Sequence, residues 1–503
     1  MIGTSHATPA VALFSKKTSR RTSLAARRDA KLVLAAALAF VVSGLALLGL
    51  KETITPAGLS VSLYLLTAFA VTLLAFSQRR SIIDNPIYLV FYSYVCFLGI
   101  GPLIAQMIEF RSLAVGLLTY VGLWPLLVSW IGLASLVLGY VGWDSSRCSG
   151  KDLESVRARD DRRIRYFMFC GGITFTLVGI AGAILYLSKM GGFNYLLATP
   201  YGERENPSVY AGFFSMLRPG LFLLMAWTAG ARKVPLWTTA LLLSYLASDL
   251  MWFGPLTGSR RQVITLVLTL FLINRYCRSG RRSTGSVFSL QGWLLTTGLL
   301  VVLVWGGLRI HSAEEILSMR PSELNVATET KSATVDALYY PFLSFVRIVE
   351  LVPNFIPYQR TRTLYESLTV VIPRDLWKTK PGSFGDWLAR SLYGPNIGGN
   401  TTPTWPGELY MGFGVSGVIV GMAFMGITCA WVSRWTRSRG VSPVSAEHGL
   451  LAAVLFPLFF EWIWGGSNTA VWYMLFNVLP VWGALGTARL VHRPPTSAFR
   501  SYR

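Results

Sequence analysis

Long apolar runs broken by short basic stretches dominate the chain. Runs of about 20 apolar residues are long enough to cross a bilayer as helices. They fall near 32–50, 58–76, 86–107, 113–141, 166–187, 212–230, 235–253, 262–275, 290–308, 412–432, 446–465 and 469–488. The pattern predicts an all-α, polytopic membrane protein of about twelve transmembrane helices. Residues 1–31 form a basic tail, 32–308 hold nine helices, 309–411 form one large loop domain, 412–488 hold three helices, and 489–503 form a second basic tail. The first apolar run lacks a small-residue cleavage site at its end, so it reads as a retained helix.

Composition sharpens this picture. Hydrophobic residues make up 52% of the 503 and charged residues only 14%, well below the roughly 25% of soluble domains. The net charge of +22 does not indicate a nucleic-acid partner, because the basic residues sit in short runs between apolar segments. Examples are KKTSRR (16–21), RRIR (162–165), RYCRSGRR (275–282) and RWTRSR (434–439). With the N-terminus inside and strict alternation, these clusters share one side, as the positive-inside rule expects. Both termini are then cytoplasmic, and membrane lipid is a partner. The 309–411 loop faces out and carries ten basic and ten acidic residues, the balance of a folded extracytoplasmic domain. Five cysteines and four scattered histidines give no disulfide framework and no ligand spacing, so no metal and no cofactor is expected.

Three outward stretches carry candidate chemistry. In LTGSRRQVITLVLTL (256–270), Arg260 and Arg261 open an apolar helix after a turn and cap at Gly258 and Ser259. Cations there oppose the helix dipole, whereas a bound anion would relieve that cost; snorkelling to the headgroups is the competing reading. In LTVVIPRDLWKTKPGSFGDW (368–387), Arg374, Lys378 and Lys380 cluster among prolines and glycines beside Trp377. A lipid-linked phosphate suits such a loop, and a solvated turn is the alternative. In NTTPTWPGELYMGFGVSG (400–417), Glu408 precedes a helix expected near Gly412, as a cap or as a base, and Gly412, Gly414 and Gly417 read as packing positions. Helical periodicity over 336–355 places Asp336 and Arg347 on one face and Leu338, Phe342, Phe345 and Val349 on the other. That segment lies either on the outer leaflet or against the bundle.

TGSRR (257–261), IPRDLWKTKP (372–381) and GELYMGFGVSG (407–417), in this order and on one side, resemble the oligosaccharide repeat-unit polymerases of the O-antigen polymerase (Wzy) type. The resemblance covers roughly 190–430. It implies a membrane glycosyltransferase of the GT-C type in the bacterial inner membrane. Such an enzyme uses a polyprenyl-pyrophosphate-linked oligosaccharide, works without metal, and has a chain-length regulator and a flippase as expected partners. Carried residue by residue, it assigns catalytic roles to Arg260, Arg374 and Glu408. Lys380 and Tyr410 also match its motif positions and are expected around the substrate, as are Arg261, Arg347, Lys378 and Asp336, which lie outside the matched positions. An O-antigen ligase or other carrier-lipid transferase and a flippase or transporter are the alternatives; no outward histidine lies in a motif that would favour the ligase.

Overall fold

The computed structural model describes residues 86–100, 123–146, 161–189, 191–192, 208–229, 260–277, 340–369, 372, 377–380, 384–393, 401–437 and 446–491. Expected helices at 32–50, 58–76, 235–253 and 290–308 lie outside the described residues, as do Asp336, Leu338 and Arg374. The described chain is all-helical. Its elements are α1 (Pro86–Val95, continued by a π-turn, Cys96–Ile100), α2 (Leu123–Ser146), α3 (Asp161–Lys189), α4 (Ser208–Ser215), α5 (Leu217–Ala229) and α6 (Arg260–Cys277). They continue with α7 (340–351), α8 (Arg362–Thr369), α9 (Phe384–Tyr393), α10 (Trp405–Arg437), α11 (Ala446–Tyr473, followed by a π-turn, Met474–Val478) and α12 (Leu479–Val491).

Five stretches are long and apolar enough to cross a membrane: Trp124–Trp143, Ile164–Lys189, Tyr210–Thr228, Trp405–Trp435 and Glu447–Ala488. The chain is a multi-pass membrane protein. Its lipid-facing surface is visible on α3, where Leu177 and Ile184 are each 62% exposed. Lipid tails accept such residues at no cost. At the other extreme α11 is almost wholly buried. It packs on α1, α6, α8 and α10, while α2 lies along α10 and α3 along α5. Gly139 and Gly426 let α2 and α10 touch backbone to backbone; a Cβ on Gly426 would overlap the Leu136 carbonyl, and one on Gly139 the backbone of Ala423.

Two interruptions set the geometry of the bundle. In α10, Gly414 takes φ 67° and ψ −152°, a region essentially closed to side chains. The break leaves helix carbonyls without their usual partners. The loop after α7 supplies them, with Gln359 N–H donating to Met411 O (2.9 Å) and Arg360 N–H to Gly412 O (3.1 Å). Gly414 is therefore a conformational break as well as a close-packed position, where an added Cβ would meet the Tyr358 hydroxyl at 3.0 Å, and it divides a leading helix that begins at Trp405 from the span that follows. In α11, Gly466 takes φ 75° and ψ −167°. Beyond it the chain doubles back. The Thr469 hydroxyl reaches Glu461 O (2.8 Å) and the Tyr473 hydroxyl reaches Val454 O (3.2 Å), contacts that a straight helix rising about 1.5 Å per residue forbids. The two expected spans 446–465 and 469–488 thus meet at a tight turn.

Helix α7 answers the question left by its periodicity. Phe342, Phe345, Val346 and Val349 are buried, and a Cβ on Gly407 would touch Phe345 and Ile348. The apolar face packs on the start of α10, so α7 lies against the bundle.

Candidate functional site

The starts of α6 and α10 meet the Gly465–Gly466 turn of α11 at one end of the bundle. Thr404 caps α10. Its carbonyl accepts the Glu408 N–H (3.0 Å) and its hydroxyl the Gly407 N–H (3.4 Å), with Pro406 in the first turn, where a missing N–H costs nothing. Glu408 consequently lies in the first turn of α10, buried at 4% exposure. It serves another helix. The turn at Gly466 frees the N–H of Ser467, and Glu408 Oε2 accepts it at 2.6 Å. The Ser467 hydroxyl donates to Glu408 Oε1, and Thr363 of α8 adds a side-chain hydrogen bond to the carboxyl. A second hydroxyl, Ser367 of α8, lies 2.5 Å from that of Ser467 and donates to Thr363 O at 2.7 Å. Glu408 is thus a cap, as one of its two readings held, but for the returning limb of α11. A carboxylate at a helix start is stabilised by the exposed N–H groups and the dipole.

A cation–anion cluster is built on Glu461, about one helical turn before Gly465. Arg261 Nε lies 2.6 Å from Glu461 Oε2. The other carboxylate oxygen is 2.6 Å from the Thr265 hydroxyl, which also lies 2.6 Å from Arg261 O. Thr269, one turn further on, approaches the Tyr473 hydroxyl at 3.3 Å. Arg261, Thr265 and Thr269 recur at four-residue spacing, so they line the face of α6 against α11. Arg218 of α5, also buried, interacts electrostatically with Tyr473. The cost of Arg261 at a helix N-terminus is thus met by Glu461, the protein's own carboxylate, where the sequence pointed to a bound anion or to snorkelling. Glu461 was legible in principle. It is the lone acid in the apolar run VLFPLFFEWIWGG, and an ionisable residue within a span asks for a named partner.

The two clusters are adjacent. A Cβ on Gly465 would overlap Arg261 Nη1 and the Thr469 hydroxyl, and one on Gly466 would overlap Glu408 Oε2. The glycine pair lets a guanidinium and a carboxylate from distant parts of the sequence sit against consecutive backbone positions. Tyr410, also buried, accepts a hydrogen bond from Trp124 Nε1 (3.2 Å) and fixes the start of α10 to α2.

The remaining expected residues divide. Arg260 is the first residue of α6, and its side chain lies outside the described residues, with Arg374 and Asp336. The Lys380 ammonium donates to Thr369 O (2.9 Å), at the last residue of α8, and to Ile372 O (2.8 Å), just beyond it; it serves as a C-terminal cap. Lys378 is exposed in the turn before it. Arg347 is exposed and pairs with Glu350 at 3.6 Å on its own helix. Arg362, not singled out in the sequence, bonds Glu366 (3.1 Å) and Gln359 (3.2 Å) and lies 4.7 Å over the Trp387 ring, joining α8 to α9. Among the described residues no group of three or more His, Cys, Asp or Glu side chains is placed to hold a metal.

Residues 342–487 match the model of a domain of unknown function, DUF8712. The matched region runs from α7 into α12 and contains Glu408, Glu461 and Ser467, but not the arginine pair of α6. No curated protein and no solved structure matches the chain.

Proposed function

We propose that this protein is a membrane glycosyltransferase that polymerises polyprenyl-diphosphate-linked oligosaccharide repeat units. The observation that carries the reading is the convergence of two of its three motif elements, Arg261 of TGSRR and Glu408 of GELY, on the Gly465–Gly466 turn of α11. The elements are remote in sequence, and each alone is loose. Their meeting at one end of a membrane bundle, with the third element following α8, is what a shared site requires.

In this reading the site faces the outer surface of the bacterial inner membrane, with both termini and the basic clusters in the cytoplasm. An acceptor hydroxyl on one repeat unit attacks the anomeric carbon of the sugar on the other carrier and gives up its proton, which ends on the departing diphosphate. The bond from that carbon to the diphosphate breaks, and its electron pair leaves with the polyprenyl diphosphate. Fixed cations aimed at the leaving oxygens supply the catalysis. Arg260 and Arg374 take this role, with Lys378 as further charge. Arg261, neutralised by Glu461, and Lys380, engaged by α8, hold the site in shape. Glu408 acts as a positioning residue, because Ser467 and Thr363 already occupy its oxygens.

Deletion of the gene, followed by a polysaccharide gel, tests the proposal. Single-repeat products are expected, restored to polymer by the wild-type chain but not by Arg260→Ala or Arg374→Ala. An unchanged polymer ladder in the deletion strain would overturn it. Polymer that is made but never reaches its final anchor would instead identify a ligase. A transporter reading has one specific observation in its favour, the breaks in α10 and α11, since discontinuous helices are common at transport sites. It expects single repeats to accumulate on the cytoplasmic side, and substrate-dependent labelling of cysteines placed beside Gly466 from both faces of the membrane.

A further inference from the structure

Helix α8 is built inside out. Its polar side chains Thr363 and Ser367 are buried and Glu366 is mostly so. Its apolar ones face outward, with Leu364 41%, Tyr365 53% and Leu368 69% exposed. Positions 363, 366 and 367 share one helical face and 364, 365 and 368 the other. The flanking turns continue the pattern, since Phe355 is 80% exposed and Tyr358 and Ile372 are also exposed. A contiguous apolar surface in water marks an interaction site, and here the inward polar face excludes a simple packing explanation.

We infer that α8 and its flanking turns are an interfacial element whose outward face is seated in the acyl region of the membrane lipid. Depth is the first argument. The Ser367 hydroxyl lies 2.5 Å from that of Ser467, immediately after the limb of α11 that runs from Ala446 to the turn. That limb is about 30 Å long, the thickness of the hydrocarbon core, so its end marks the boundary of the bilayer. Continuity is the second. Tyr358 lies against Gly414 of α10, a span that itself exposes Phe413, Ile419 and Val420. Charge is the third. Arg360 and Lys378 are exposed on the same segment, suited to lipid phosphates above an inserted apolar face. Helix α7 packs on the bundle, and α8, which has no long apolar run, takes the interfacial place. The inference is independent of the proposed chemistry, and it puts the Glu408–Ser467 cluster just beneath the headgroups.

The test uses the full chain, with its native cysteines replaced, in vesicles of phosphatidylcholine and phosphatidylglycerol. Nitroxide labels are placed at Leu364→Cys and Leu368→Cys, with the same nitroxide free in buffer as the aqueous reference. Power saturation should show an oxygen-to-nickel-chelate accessibility ratio several-fold higher at positions 364 and 368 than for the free label. A ratio equal to that of the free label would place the face in water and overturn the inference. Protection from both relaxants would mean that protein covers it, and would overturn it equally. As a second measurement in the otherwise native chain, benzoylphenylalanine at Leu368 should yield phospholipid adducts on illumination. Cross-links to this chain or to a second copy, or the lack of any lipid adduct, would reject it.

Discussion

Gly466→Ala is the substitution that bears hardest on the site. Gly466 holds φ 75° and ψ −167°, a conformation essentially restricted to glycine, and forcing a side chain into it costs about 1–3 kcal/mol. The added methyl would also overlap Glu408 Oε2. That oxygen cannot withdraw freely, because it accepts the Ser467 N–H at 2.6 Å and its partner accepts the Ser467 hydroxyl. Losing one charge-assisted bond of this kind costs about 1.5–3 kcal/mol. The combined effect is roughly 2.5–6 kcal/mol, a large part of the ~5–15 kcal/mol that holds a typical protein folded. Gly483→Ala is the matched control. No atom lies within 4 Å of a Cβ built there, and alanine gains up to about 1 kcal/mol in a helix. Detergent extracts of both variants, heated in steps and resolved by fluorescence-detected size exclusion, give apparent Tm values. Gly466→Ala should lose its monodisperse peak many degrees below wild type, and Gly483→Ala at or above it. A wild-type Tm for Gly466→Ala would show that the α11 turn is not built as described.

The Arg261–Glu461 pair gives a second test. Glu461→Ala strands a guanidinium that is only 19% exposed and should cost about 2–3 kcal/mol, below the ~3–5 of a fully buried pair. The Arg261→Ala/Glu461→Ala double variant should cost about 1–3 kcal/mol less than the summed singles, and strictly additive Tm shifts would contradict the pairing. Glu408→Gln keeps the acceptor for Ser467 N–H and should fold with shortened polymer. Glu408→Ala should lose both polymer and thermal stability; equal Tm values for the two would remove the capping role. Lys380→Met removes two hydrogen bonds at the end of α8 and should speed tryptic cleavage near Arg374 severalfold, at a local cost of about 1–2 kcal/mol, without changing the Tm of the bundle. An unaltered digestion rate would count against the cap.

Hydropathy alone identified a helical, multi-pass membrane protein, because the bilayer admits few architectures and leaves long apolar runs little choice. The spans at 166–187, 446–465 and 469–488 were legible to within a few residues for that reason. Glu408 was also legible as a capping candidate, since a lone carboxylate at a helix entry demands a partner. Its partner was not. Ser467 becomes a donor only because Gly466 frees its N–H and α10 delivers a carboxylate to that place. Arg261 shows the same limit. The sequence exposed the cost of a cation at a helix start, but only the packing of α6 on α11 revealed that Glu461 meets it. The roles of Lys380 as a cap and of α8 as an inverted helix are likewise products of packing. Periodicity records which residues share a face. What that face meets, protein, lipid or a charge from another helix, depends on contacts remote in sequence, and only the tertiary structure decides it.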